Sequence, residues 1–184
     1  MKKKIIIISG GPGFGKSKII RELGKLGFTV SAEYAREIIE EQTLQGGNIL
    51  PWKDIKAFQH EVLKRRIAFF ESVKEGEIAF ADRGIPDQIA FARYRGFTAP
   101  SILKESLKKL EYENLVFITA PWKEIYKPDH IRRESFEEAC QMHRIICDVY
   151  RELGFEMVDI PQIDVNSRAR FILSYLKKSG IELE

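Results

Sequence analysis

The run Lys4-Ile5-Ile6-Ile7-Ile8-Ser9-Gly10-Gly11-Pro12-Gly13-Phe14-Gly15-Lys16-Ser17 decides the fold. Four isoleucines bounded by polar residues read as a strand buried on both faces of a parallel sheet. Gly10 to Ser17 fit G-x-x-x-x-G-K-[ST] in full, and a helical pattern opens at Lys16. Strand, loop and helix in that order are the context this motif requires. Glycines let the backbone wrap a phosphate without Cβ clashes, so that N–H groups point inward. The helix that follows adds the positive end of its dipole. In such a loop Lys16 reaches the β and γ phosphates, and the Ser17 hydroxyl holds Mg²⁺. The residues expected to hold a nucleoside triphosphate are Gly11, Pro12, Gly13, Phe14, Gly15, Lys16, Ser17 and Lys18.

Outward from this loop, short apolar runs alternate with longer helical patterns. The expected strands are Lys4 to Ser9, Thr29 to Ala32, Ile78 to Asp82, Leu115 to Thr119 and Met157 to Ile160. Helices are expected over Lys16–Leu26, Tyr34–Leu44, Trp52–Lys74, Asp87–Tyr94, Ser101–Leu110, Arg133–Leu153 and Asn166–Lys178. Gly27, Gly76, Gly154 and Gly180 sit where helix ends fall. The alternation implies an α/β sandwich of three layers around a five-stranded parallel sheet. Right-handed crossovers put helices on both faces, and active residues belong at the carboxyl ends of the strands.

The 184 residues suit one domain, with a lid segment at about 122–135. Hydrophobic residues make up 44%, enough for a core and too many for a disordered chain. The net charge of +3, from 30 basic and 27 acidic residues, does not call for a nucleic-acid or membrane partner. The longest apolar run is Ile5 to Ile8, far short of a membrane span. Met1-Lys2-Lys3-Lys4 resembles a signal-peptide start, but the apolar stretch stops at Ser9-Gly10-Gly11 without a cleavage-like site. Cys140 and Cys147 stand two helical turns apart, too far for a disulfide, and read as free thiols of a reducing cytoplasm.

Acids stand at two strand ends. Asp82 closes its run and can contact Mg²⁺ or act on an attacking hydroxyl; pairing with Arg83 or capping the next turn is the structural alternative. Glu33 follows the second strand, at the same sheet edge as the loop. It serves either a substrate hydroxyl or the dipole of the next helix. Arg36 either pairs with Glu33 or meets a phosphate. After the fourth strand come Lys123, Lys127, Asp129, His130, Arg132 and Arg133. Phosphoryl transfer develops charge on equatorial oxygens, which makes Arg132 and Arg133 candidate lid arginines. Lys64-Arg65-Arg66 lies mid-helix, as either a solvated face or a substrate contact. Trp52, Phe58, Phe69 and Phe70 read as core or pocket wall.

Together, Ile8 to Ser17, Ala32-Glu33-Tyr34-Ala35-Arg36-Glu37, Phe80-Ala81-Asp82-Arg83-Gly84-Ile85-Pro86-Asp87, Pro121 to Tyr126 and Asp129 to Ser135 resemble the NadR-like AAA-type ATPase group. That group is similar to the ribosylnicotinamide kinase domain of the NadR regulator. Asp82-Arg83-Gly84 also looks like the Asp/Glu-Arg element of thymidylate and deoxynucleoside kinases. The resemblance implies strand order 2-3-1-4-5. The residues expected to be catalytic are Lys16, Asp82, Glu33, Arg132 and Arg133, with Ser17 and Asp82 at the metal. Arg36, Arg66, Arg83 and Asp129 are candidates for substrate contacts. Three positions depart from the group: His130 stands where glycine is usual, Lys18 where threonine is common, and Arg66 where glutamine often reads a nucleoside. Arg66 leans toward an anionic acceptor. The leading expectation is an ATP- and Mg²⁺-dependent phosphotransferase acting on a small molecule, nucleoside-like or anionic. A regulatory ATPase working through a partner is the alternative. Thr119-Ala120-Pro121-Trp122 lacks the Asn/Thr-Lys-x-Asp reader of guanine, which favours ATP.

Overall fold

The isoleucine run divides its side chains between two cores, because successive residues of a strand face opposite sides of a sheet. Ile6 and Ile8 pack on one side with Phe80, Phe117, Leu23 and Ile172; Ile5 and Ile7 face the other, and Ile7 packs there with Val116, Ile118, Ala90 and Tyr150. All four isoleucines are fully buried. A computed structural model describes residues 2–127 and 134–183. In chain order it runs β1 (Lys4–Gly10), α1 (Lys16–Lys25), β2 (Thr29–Val30), α2 (Tyr34–Leu44), α3 (Ile55–Ser72), β3 (Ile78–Asp82) and α4 (Ile85–Tyr94). It continues α5 (Ser101–Lys109), β4 (Leu115–Thr119), a short 3₁₀ turn (Lys123–Ile125), α6 (Phe136–Glu152), β5 (Glu156–Ile160) and α7 (Val165–Lys178).

The sheet is parallel, five-stranded and ordered β2-β3-β1-β4-β5, as expected. Helices α1 and α7 cover one face; α4 and α6 pack on the other. This order puts the loop after β1 at mid-sheet, between the ends of β3 and β4.

Several boundaries move for local reasons. Strand β2 stops at Val30 rather than Ala32, yet the Ser31 N–H still donates to the Phe80 carbonyl at 2.9 Å. The Asp82 N–H then donates to the Ser31 hydroxyl at 2.8 Å, so a side chain replaces the next rung of the ladder. Helix α3 begins at Ile55 rather than Trp52, because the Asp54 carboxylate accepts from the Ala57 N–H and caps it. Helix α4 begins two residues earlier than expected, with Pro86 in its first turn. The α6 described here starts at Phe136 because Ser135 and Glu138 form a capping box. Strand β5 is an edge with half-exposed side chains, not one buried on both faces. The two cysteines are free thiols, as expected. Among the described residues no helix is long and apolar enough to cross a membrane.

Candidate functional site

The loop after β1 has the backbone its sequence requires. Gly10 (φ 130°) lies so close to Thr119 that a Cβ would fall 2.5 Å from the Thr119 carbonyl oxygen. Gly15 (φ 85°) is the left-handed cap from which α1 starts. The Phe14 ring is buried, edge-on to Phe136 and His143 and tilted against Tyr126, so only its backbone belongs to the loop surface. Lys16 is 4% exposed and lies across the loop, donating to the carbonyls of Gly11 (2.6 Å) and Gly10 (3.1 Å). Burial, reinforced by the Arg83 charge, pushes its ammonium pKa down. An ammonium desolvated in this way and held only by carbonyls is matched far better by a phosphate.

Beside the lysine three polar side chains meet: Ser17 from the first turn of α1, Glu33 from just before α2 and Asp82 from the end of β3. The Ser17 hydroxyl donates toward Glu33 at 2.9 Å and Asp82 at 3.2 Å. Asp82 is 3% exposed, and its second carboxylate oxygen, Oδ1, has no partner. Burial raises the Asp82 pKa, the neighbouring Glu33 charge raises it further, and Lys16 opposes both. An orphaned buried carboxylate oxygen beside a hydroxyl is a good donor set for a small hard cation. Among the described residues no cluster of three or more His, Cys, Asp or Glu side chains is poised to hold a metal. A cation here would therefore take its remaining ligands from water and phosphate oxygens.

A cavity of about 520 Å³ opens from this cluster between α2, α3, α4 and α6. Phe58, Val62, Phe91, Met142 and Ile146 give it apolar walls, and Glu33, Arg36 and Arg83 stand among its polar residues. Arg66 and Gln88 also line it, both nearly buried. Gln88 donates to the Gln59 carbonyl (2.9 Å) and to the Gln59 side-chain oxygen (2.8 Å), while its own oxygen is unpartnered. Arg66 has two unpartnered nitrogens, Nε and Nη1. Buried polar groups are rarely left unsatisfied, so this cavity wall has unmet demand for both a donor and an acceptor.

One further carboxylate organises the floor. Asp87 accepts from the Ser9 hydroxyl (2.6 Å), the Arg83 guanidinium (2.8 Å), the Gly84 N–H (2.8 Å) and the Tyr150 hydroxyl (2.6 Å). Burial alone would raise its pKa; the charges of Arg83 and Arg66 and these hydrogen bonds hold it below the ordinary value instead. Arg83 itself has a left-handed backbone, φ 69°, the one non-glycine case of positive φ among the described residues.

With that geometry in hand, the sequence profile of the AAA domain matches residues 5–168. The chain belongs to this AAA domain family. No curated protein matches it. Solved structures do. Thymidylate kinase from Ehrlichia chaffeensis superposes with a TM-score of 0.63 at 15% identity, over 96% of this chain and 100% of that one. Deoxyadenosine kinase from M. mycoides, with the products dCMP and a flexible dCDP, gives 0.62 at 17% identity over 95% and 99%. NadR in complex with NR gives 0.65 at 19% identity, over 99% of this chain but 53% of NadR. At these identities the likeness establishes the fold, that of a P-loop nucleotide kinase.

In this AAA domain the residues expected from sequence separate clearly. Lys16, Ser17, Glu33 and Asp82 come together; Arg36, Arg66 and Arg83 line the adjoining cavity. Arg36 donates to Glu40 at 3.1 Å, rather than settling the choice between Glu33 and a phosphate. The Lys64-Arg65-Arg66 run divides: Lys64 is exposed, Arg65 pairs with Glu41 and Glu61, and Arg66 turns inward. The Lys18 side chain is exposed, leaving its backbone to the loop. Of the aromatics, Phe58 is a buried wall, whereas Trp52 is 61% exposed at the cavity rim. Asp129, His130, Arg132 and Arg133 lie outside the described residues.

Sequence reading missed Gln59, Gln88, Tyr150 and the structural weight of Asp87. It also missed His143, whose Nδ1 accepts from the Gly11 N–H at 3.3 Å while Nε2 faces the Cys147 sulfur at 3.6 Å. Burial, then the Lys16 charge, pushes the His143 pKa down to about 4. Between that value and an unfolded value of about 6.5, the unfolded chain binds more protons. Stability from this group therefore rises with pH across the window and is lost as pH falls. Protonated, Nδ1 would present a donor to a donor. In His143→Gln the component of melting-temperature loss between pH 6.5 and 4 that His143 supplies should disappear. Melting curves for both proteins across that range check it; parallel slopes would remove His143 as the source.

Proposed function

We propose that this chain is a Mg²⁺-dependent phosphotransferase that moves the terminal phosphoryl group of ATP to a small acceptor in the 520 Å³ cavity. One observation carries the reading. The loop, the Ser17–Glu33–Asp82 cluster and the cavity are contiguous: Pro12 of the loop lines the cavity, and Glu33, which accepts from Ser17, lines it too. A passive nucleotide binder has no need of a second pocket beside its phosphate loop.

On this reading the loop N–H groups and Lys16 cradle the phosphates, and Lys16 exchanges two loop carbonyls for phosphate oxygens. Ser17 and Asp82 would hold Mg²⁺, which when bound neutralises charge on the transferring group. Glu33, at the cavity mouth, orients the acceptor hydroxyl and takes its proton. Arg83, fixed by Asp87, brings positive charge to the same edge. Arg66 and Gln88 select the acceptor: its far end must offer an oxygen or ring nitrogen to Arg66 and an N–H or O–H to Gln88. A nucleoside-like molecule, or one with an anionic group toward Arg66, meets both demands. The assignment of Arg132 and Arg133 to a lid, and of residues 1–184 to one domain, belongs to the same reading. Family, fold and the missing guanine reader all support ATP as donor.

Two measurements test it. Lys16→Ala leaves phosphate charge unmatched and should weaken ATP binding roughly 10- to 100-fold, the worth of a charge-assisted hydrogen bond; equal calorimetric affinities would refute the loop assignment. A ³¹P-monitored ATP turnover screen should find an acceptor among nucleosides, nucleotides, vitamins and sugars. ATP hydrolysis stimulated by a protein partner, with every small acceptor inert, would replace this reading with a regulatory ATPase.

A further inference from the structure

One peptide unit of the phosphate loop is held from outside the loop. Gly11 is buried, and its N–H donates to Nδ1 of His143, on α6, at 3.3 Å. The same planar unit carries the Gly10 carbonyl, which accepts from the Lys16 ammonium at 3.1 Å. In a trans peptide the N–H and C=O point opposite ways, so His143 stands on one side of the unit and Lys16 on the other. The second carbonyl under Lys16, that of Gly11 at 2.6 Å, belongs to the bond to Pro12, which has no N–H to be held by. His143 therefore grips the one carbonyl seat of Lys16 that can be gripped through an N–H.

Local sterics leave this unit free to turn, because both residues that flank it are glycine. Neither has room for a Cβ: on Gly10 it would fall 2.5 Å from the Thr119 carbonyl oxygen, on Gly11 2.7 Å from the Ala139 carbonyl oxygen. Ala139 lies one turn before His143, so α6 both crowds the glycine and takes its N–H. The imidazole is suited to accept. With Nδ1 accepting, the ring proton sits on Nε2, which faces the Cys147 sulfur at 3.6 Å, itself a weak acceptor. Burial keeps the ring neutral. The positive charges of Lys16 on α1, Arg83 after β3 and Arg144 on α6 act in the same direction, and Asp159 of β5 opposes them.

We propose that His143 is a positioning residue of the phosphate site: through the Gly10–Gly11 peptide it fixes the carbonyl on which Lys16 rests, and so holds the ammonium ready for phosphate. It touches no ligand itself. Without this grip the buried Gly11 N–H has no partner and the peptide turns. An N–H turned toward Lys16 sets a donor against a donor and displaces the ammonium, so the site loses preorganisation. The assignment rests on the reading of this loop as a phosphate site.

Calorimetry with Mg²⁺–ATP on wild type, His143→Leu and His143→Asn, and on His143→Leu combined with Lys16→Ala, is the test. Leucine fills the volume without an acceptor and should weaken binding roughly 3- to 10-fold, the worth of one hydrogen bond. Asparagine, whose Oδ1 can stand where Nδ1 stood, should restore affinity to within about twofold of wild type. In the Lys16→Ala background His143→Leu should change affinity by less than about twofold, because a residue that acts through the lysine has nothing left to act on. Equal losses in both backgrounds would make His143 a support of the fold alone. Wild-type affinity in His143→Leu would show the lysine indifferent to the peptide. Either result overturns the proposal. Nitrogen-15 NMR of the wild-type chain needs no variant and decides if the leucine protein does not fold. A scalar coupling across the hydrogen bond from the Gly11 nitrogen to His143 Nδ1 is expected; a ring protonated on Nδ1 overturns the assignment. A wild-type chain that binds neither Mg²⁺–ATP nor Mg²⁺–tripolyphosphate overturns the phosphate-site reading itself, and this assignment with it.

Discussion

Asp87→Ala should abolish most of the stability of the fold. The carboxylate is nearly buried and each of its oxygens accepts two hydrogen bonds, from Ser9 and Arg83 on one and from Gly84 and Tyr150 on the other. Alanine would leave the Ser9 and Tyr150 hydroxyls, both fully buried, without partners, and Arg83 without its countercharge. Breaking a buried pair from one side costs about 3–5 kcal/mol, a large share of the 5–15 kcal/mol of a typical domain. The left-handed backbone at Arg83 would also lose the contact that holds its side chain. Asp87→Asn, which keeps acceptor capacity on one oxygen, should fall between alanine and wild type. Tyr150→Phe, which removes one donor and its need together, should cost about 1 kcal/mol. Urea denaturation of the three variants gives the ranking. An Asp87→Ala protein within about 1 kcal/mol of wild type, the worth of a single hydrogen bond, would show that the network is redundant.

That network explains why the loop was legible in sequence and the floor beneath it was not. Gly10 to Ser17 is contiguous, and its chemistry forces its spelling: phosphate needs N–H groups, these need glycines, and the helix must follow at once. The isoleucine run is equally local, since burial on both faces demands unbroken apolarity. Glu33 and Asp82 could be found because parallel strands deliver their carboxyl ends to one edge. Asp87 draws its partners from 78 residues upstream and 63 downstream, and no periodicity encodes such a meeting. In sequence it stands at the third position of a capping helix, where an acid is ordinary.

Arg66 is different, because a signal was present. Phe58, Gln59, Val62, Leu63 and Arg66 are the buried positions of α3, spaced as one helical face. Reading Lys64-Arg65-Arg66 as a charge run hid that Arg66 continues the stripe while its two neighbours leave it. A charged residue in register with an apolar stripe is the pattern that marks an inward-facing arginine, and here it has unpartnered nitrogens to show for it. The strand order itself came from family resemblance, since periodicity gives the number of strands and their direction but not which lie side by side.

Asp82→Asn should separate stability from turnover, on the reading proposed above. Burial and Glu33 hold the Asp82 pKa above its ordinary value. Between the unfolded and folded values the native state therefore binds more protons than the unfolded chain, and stability falls as pH rises through that interval. At neutral pH the ionised carboxylate is a cost, carried with one oxygen unpartnered. Asparagine keeps the shape, still accepts from Ser17 and has no charge to desolvate, so the variant should be more stable by about 0.5–2 kcal/mol. Affinity for Mg²⁺-free ATP should hold or improve, because a carboxylate near phosphates repels them. Turnover should drop roughly 10²- to 10⁴-fold, the scale of a lost proton-handling or metal-positioning group. A melting curve, calorimetry without Mg²⁺ and a single-turnover assay on one preparation measure all three. Lower stability together with wild-type turnover in the folded fraction would make Asp82 a structural residue. A higher melting point with lost turnover would mark a charge kept at the expense of stability for the chemistry it does.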